Sequence, residues 1–238
     1  MATARYLAMT ASEFHTARFF PPKIGWMACH FSPYGSGLCN LPDHLPEGSL
    51  LILNDRIPTQ GHDTMQITDQ LLSAVQTLRC SCVLLDFQHP GDPVLKILAQ
   101  NLTETLPCPL VVSEQYARDL SCSVFLSPCP HHVLLADHAK PWQERELWLD
   151  LALDAEVISL AGDGAVFSPV PYPEITSHCH VDSRLHCHYS IVNTENTSRF
   201  TLWRTREDLE ALLHDAEELG ICTFVGLYQE LCDFSIKR

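Results

Sequence analysis

Short apolar runs separated by turn-rich segments set the rhythm of this chain. The clearest is CSCVLLDFQHP at residues 80–90, an aliphatic run that ends on Asp86, Phe87, Gln88 and His89. A run apolar on both faces is the pattern of a parallel strand. Polar groups collected at its C-terminal end are what an α/β barrel turns toward a ligand. Similar runs are KIGWMACHF from residue 23, SLLILND at 49–55, PLVVSE at 109–114 and CSVFLSP at 122–128.

Helical periods alternate with them. MQITDQLLSAVQTLRC places Ile67, Leu71, Leu72, Val75 and Leu78 at helical spacing, with Asp63 or Thr64 as the cap. PVLKILAQNLTETL repeats the pattern and is ended by Pro107 and Pro109. TREDLEALLHDAEELG carries a Thr205 cap, Asp208 in the first turn and Gly220 as its stop. QYARDL gives only a short helical piece, and nothing helical is expected after CSVFLSP or between residues 32 and 48. The middle of the chain changes character. RELWLDLALD alternates with the period of a half-buried strand, and two hairpins follow, one around Gly162-Asp163-Gly164 and one spanning LHCHYSIV to SRFTLWRT.

Residues 1–21 show no clear periodicity and are expected to form a lead-in. Strands are therefore expected near residues 23, 49, 81, 109, 122, 145, 199 and 221. The order of elements predicts an α/β fold, a TIM-type (β/α)8 barrel, small and eroded, with some helices shortened or replaced by β-hairpins. It is read as a single barrel domain over residues 1–238, with 156–204 a hairpin-rich insertion within it. A doubly wound open sheet would instead need a glycine-rich phosphate loop, and Gly35-Ser36-Gly37 lacks the third glycine and the helix start.

Composition narrows the function classes. The 238 residues carry a net charge of −14, and no run of Lys or Arg exceeds two residues, so nucleic acid and anionic membrane surfaces are not expected partners. The N-terminus has neither the apolar core of a signal peptide nor a membrane-spanning run, and a cytoplasmic protein is expected. Eleven cysteines scattered through strand-like segments, Cys29, Cys82, Cys122 and Cys222 among them, read as reduced, buried thiols.

In a barrel the working groups stand at the C-terminal strand ends. Those ends hold Cys29 and His30, Asn54 and Asp55, Asp86 and Gln88, Glu114, and Tyr228 with Glu230. Several carboxylates at one mouth suit glycoside hydrolysis, which needs one carboxyl to protonate the leaving oxygen and another as nucleophile or base.

VLLDFQ, with the aromatic-bearing last strand VGLYQEL, resembles the signature strand of glycoside hydrolase family 18, the chitinase-type barrels, whose motif is Asp-x-x-Asp-x-Asp-x-Glu. On that pattern Asp86 matches the last aspartate and Gln88 the catalytic glutamate, while Leu84 and Ser81 stand where the earlier aspartates belong. The resemblance implies a soluble glycan or oligosaccharide as ligand, no cofactor, and Asp86 as an electrostatic partner. In the family the glutamate gives the proton and the substrate's own acetamido group attacks. An amide at position 88 cannot give that proton, so the acid comes from another strand, with Glu114 and Glu230 the candidates, or the barrel is a silent sugar- or protein-binding module. His30, Asp55, Gln88 and Tyr228 are then expected to line the ligand.

Thirteen histidines add a third reading. His178 and His180, then His186 and His188, form two His-x-His pairs that would each project from one face of an extended segment, as a metal-dependent hydrolase could use. No glycine-flanked serine elbow occurs, and Cys29 and His30, adjacent on a strand, point to opposite faces.

Overall fold

The computed structural model describes residues 3–18, 20–35, 37–59, 61–162, 164–172 and 179–232. In chain order the elements are β1 (Ala4–Met9), α1 (Ala11–Thr16), β2 (Ile24–Phe31), β3 (Leu38–Cys39), β4 (Leu50–Asn54), α2 (Thr64–Leu78), β5 (Cys82–Asp86), α3 (Pro93–Thr105), β6 (Leu110–Ser113), α4 (Glu114–Ala117) and β7 (Ser123–Leu126). There follow α5 (Leu135–Ala139), β8 (Leu147–Leu151), β9 (Ala155–Ala161), β10 (Gly164–Val170), β11 (His180–Asp182), β12 (Cys187–Asn193), β13 (Ser198–Trp203), α6 (Arg206–Glu218), β14 (Thr223–Leu227) and α7 (Tyr228–Leu231). The chain forms two compact units.

The first unit takes in the described residues up to Ser127, Trp142–Asp150 and those from Cys222 onward. It is a closed barrel of eight parallel strands in the order β1, β2, β4, β5, β6, β7, β8, β14, with β14 returning to β1 and the short β3 antiparallel to β2. This is the expected (β/α)8 architecture with two strand assignments corrected. β1 lies in the stretch read as a lead-in, where Tyr6 to Met9 are all buried. A six-residue strand buried on both faces carries too little pattern to mark itself. The strand near residue 199 is β13, which pairs antiparallel with β9 and β12 and is not part of the barrel.

The lumen is filled by alternate residues of the strands: Tyr6, Ala8, Leu50, Ile52, Cys82, Leu84, Val111, Phe125, Trp148 and Val225 form one buried cluster. Tyr6 and Trp148 stack within it at 5.5 Å. Gly25 keeps the β1–β2–β4 wall tight, since a Cβ there would stand 2.9 Å from Ile52 Cδ1 and 3.4 Å from Ala8 Cα.

On the outside, α2 and α3 bury Ile67, Leu71, Val75 and Leu78, and Leu95, Leu98 and Leu102. Asp63 is the α2 cap, accepting from the Met65 N–H, and Asp92 caps α3 ahead of Pro93. Elsewhere the helical layer is thin: α4 and α7 have four residues each. Burial raises the thiol pKa of Cys29, in β2, to about 12 and that of Cys80, just before β5, to about 11, which keeps both protonated as small apolar groups.

The second unit comprises Pro128–Pro141 and Leu151–Ile221. Its five-stranded antiparallel sheet runs β10-β9-β13-β12-β11 and contains both expected hairpins. α6 starts on a capping box formed by Thr205 and Asp208. Arg204 is buried and donates to the carbonyl oxygens of Cys129, Pro130, Leu185 and His186, so backbone dipoles solvate its charge.

His131 is buried beside this group, with Nε2 3.5 Å from Asp154 Oδ1 and Nδ1 3.8 Å from Glu156 Oε1. Burial and, next, the Arg204 charge depress its pKa from 6.5 to about 4. The unfolded chain therefore binds the extra proton between those values, and stability is lost as pH falls through that window. Urea unfolding is expected to show the second unit losing at most about 3 kcal/mol between pH 7 and pH 4 through this residue, a dependence that His131→Gln reduces. In the barrel, Gly25→Ala is expected to cost about 1–3 kcal/mol, with Ile52→Val recovering part of it; additive losses in the double variant would exclude the steric account.

Candidate functional site

The alternation that fills the lumen with Ile52, Leu84, Val111 and Trp148 continues to the C-terminal strand ends, where Asn54, Asp86, Ser113 and Asp150 take the same parity. The polar groups at this end divide by what their hydrogen bonds do.

Asn54 sits beside a bulge in β2, where the register shifts between Trp26 and Cys29. Its Nδ2 donates to the Met27 and Cys29 carbonyls at 2.9 and 3.0 Å, tying the end of β4 to the irregular part of β2. Asp55 is 4% exposed. Its Oδ1 accepts the Gln88 N–H at 3.0 Å, and Oδ2 accepts the His89 N–H at 2.8 Å and the His89 ring Nδ1 at 3.0 Å. Ser113 Oγ accepts the Phe87 N–H and donates to the Leu85 carbonyl, both at 2.9 Å. Tyr116 OH donates to the His89 carbonyl and accepts the Asp92 N–H at 3.1 Å. Phe87 is buried under the loop, 5.7 Å from the Tyr116 ring and 6.2 Å from Phe31. The loop after β5 is thus held by side chains of three neighbouring segments.

What this frame presents is Asp86, half-buried, and Gln88, exposed, with Gln88 Nε2 donating to Asp86 Oδ1. Burial raises the Asp86 pKa above the usual carboxylate value, opposed by the Gln88 hydrogen bond and aided by the Asp55 charge. Asp86 Oδ1 is the acceptor of this pair.

The other expected site residues stand at or near other strand ends. Glu114 Oε1 accepts both the N–H and the hydroxyl of Ser127, at 3.2 and 2.6 Å, and so ties the start of α4 to the end of β7. Glu230 is half-buried on α7, and Tyr228 opens that helix directly after β14. His30 bonds the Phe31 carbonyl through Nδ1 and the Asn40 amide through Nε2, at 2.7 and 3.1 Å. Asp55 and Glu114 are thereby engaged in bracing, while Asp86 and Gln88 are bonded to each other.

The described histidines of the two pairs are engaged within the second unit. His186 has φ 47° and sits in the turn before β12. Its Nε2 meets Asp215 Oδ2, and His188 Nδ1 meets Asp208 Oδ2, each at 2.7 Å. His180 stacks on Tyr189 at 5.1 Å, and His178 lies outside the described residues. Among the described residues no group of three or more His, Cys, Asp or Glu side chains is placed to hold a metal ion. Sequence reasoning passed over His89, which its place beside Gln88 at a strand end could have marked.

Comparison with protein-family profiles gives no match, and neither does comparison with curated proteins. Solved structures do match. A chitinase from Chromobacterium violaceum aligns over 100% of both chains at 9% identity with a TM-score of 0.60. A chitinase-like agglutinin from Robinia pseudoacacia aligns over 97% of this chain and 98% of its own at 11% identity, TM-score 0.58. A glycoside hydrolase family 18 chitinase from Cycas revoluta, a double variant with one glutamate changed to glutamine and bound to (GlcNAc)4, aligns over 98% and 97% at 11% identity, TM-score 0.57. At such identities the likeness is one of fold: the chain shares the (β/α)8 barrel of these structures.

If Asp55 braces the loop, Asp55→Asn, which turns one acceptor toward the backbone donors into a donor, is expected to cost about 2–4 kcal/mol in urea unfolding. Glu114→Gln keeps an acceptor oxygen for Ser127 and is expected to cost less than about 1 kcal/mol. Equal losses would remove the distinction drawn between the two.

Proposed function

We propose that this barrel is carbohydrate-active and holds a short soluble glycan built of N-acetylhexosamine at the C-terminal ends of its strands, with Asp86 and Gln88 as the groups that meet it. The observation that carries the reading is the Gln88–Asp86 hydrogen bond at the place where the sequence resembles the family 18 signature. The pair offers a carboxylate acceptor that can take an acetamido N–H, and an amide that can both give and accept toward sugar hydroxyls. Similar folds serve a chitinase and an agglutinin, and the Cycas revoluta chitinase holds (GlcNAc)4 with a glutamine in place of one glutamate.

Position 88 gives no proton, so turnover, where it occurs, draws its acid from another group. A silent, sugar-binding barrel is the second reading, favoured by the same amide. Titration calorimetry with N-acetylchitotetraose is expected to show binding that Asp86→Ala and Gln88→Ala each weaken at least about tenfold, near 1.4 kcal/mol. Absence of binding, or binding unchanged in both variants, would overturn the proposal.

A further inference from the structure

The loop that carries Gln88 holds a second side chain in a fixed pose. His89 is 73% exposed, yet its ring Nδ1 is bonded at 3.0 Å to Asp55, whose side chain is 4% exposed. Asp55 also accepts two backbone N–H groups, so it is an anionic acceptor and Nδ1 carries the hydrogen. That fixes the ring and leaves Nε2 directed away from Asp55, able to carry or receive a proton.

The backbone around it is equally constrained. Phe87, Gln88, His89 and Asp92 are tied to Ser113, Asp55 and Tyr116, and the Thr59 hydroxyl donates to Asp92. Water would satisfy the backbone of an ordinary surface loop. Here buried side chains do so, and the effect is to hold the Gln88 and His89 side chains in place, the support a reacting group requires. Of the carboxylates expected to act as acid, Glu114 is taken up by the N–H and hydroxyl of Ser127.

We propose that His89 is a catalytic residue whose Nε2 gives the proton that Gln88 cannot, which rests on a glycan occupying this mouth. In the first step the glycosidic C–O bond breaks, its electron pair goes to the leaving oxygen, and that oxygen takes the proton from the imidazolium. The acetamido oxygen of the same sugar forms the new bond to the anomeric carbon, with Asp86 accepting from the acetamido N–H. Water then attacks that carbon, the ring of the intermediate reopens to the acetamide, and the water proton returns to Nε2. The sum is addition of one water across the bond, with His89 regenerated.

A leaving group that needs no protonation separates this role from a structural one. On N-acetylchitotetraose, His89→Gln is expected to lower kcat by roughly 100-fold or more. On the dinitrophenyl glycoside of N-acetylglucosamine the same variant is expected to stay within about threefold of the parent. Its affinity for the tetraose should be unchanged and one limb of the pH–rate profile should disappear; loss of the Nδ1–Asp55 bond lowers its thermal midpoint, and both substrates are assayed well below it. Unchanged turnover of the tetraose, or equal losses on both substrates, overturns the assignment. Binding of the tetraose by the parent protein without product overturns it while leaving the glycan-binding reading intact, whereas absence of both binding and product ends the two together.

Discussion

Closure of the eight-stranded sheet depends on β1, which hydrogen-bonds to β2 on one side and β14 on the other. Without it the sheet would present two unpaired parallel edges and its lumen cluster would lie open to water. Small side chains make the closure possible. Ala8 and Gly25 let β1 and β2 approach around Ile52, and the Tyr6–Trp148 stack fills the lumen. An apolar plug of this kind leaves chemistry to the strand ends, where the inward parity changes from Leu84 to Asp86 and from Trp148 to Asp150.

At those ends most polar side chains are engaged with the protein itself. Asn54 bonds two carbonyls of β2 beside its bulge, Asp55 and Ser113 hold the loop after β5, and Glu114 joins α4 to β7. These side chains satisfy backbone groups that water would satisfy in an ordinary surface loop. Asp86, Gln88 and His89 are the groups this frame presents, and the functional reading rests on that division of labour.

The second unit solves a different burial problem. Its sheet surrounds no lumen, and part of its interior is organised by Arg204, a buried cation accommodated by four backbone carbonyls. The two His–Asp contacts fix the turn before β12 and β12 itself to α6. His186 and His188, two of the four imidazoles that looked like metal ligands in sequence, are thus components of helix-to-sheet packing.

The sequence by itself determined the architecture in outline. Runs such as 50–54 and 82–86, apolar on both faces, announce parallel strands; Asp63 and Thr205 announce helix starts; and Gly162 to Gly164 announces a hairpin, because each of these signals is local to a few residues. Position 88 was legible too, since an amide in place of a glutamate is a chemical fact whatever surrounds it. Only the tertiary structure decided that residues 4–9 close the barrel and that 198–203 belong to another sheet, because a short strand's partners lie far along the chain. It also decided the fate of each carboxylate. Asp55 reads the same in sequence whether it faces a ligand or a backbone N–H, and the donors that settle the matter, Gln88 and His89, stand 33 and 34 residues away.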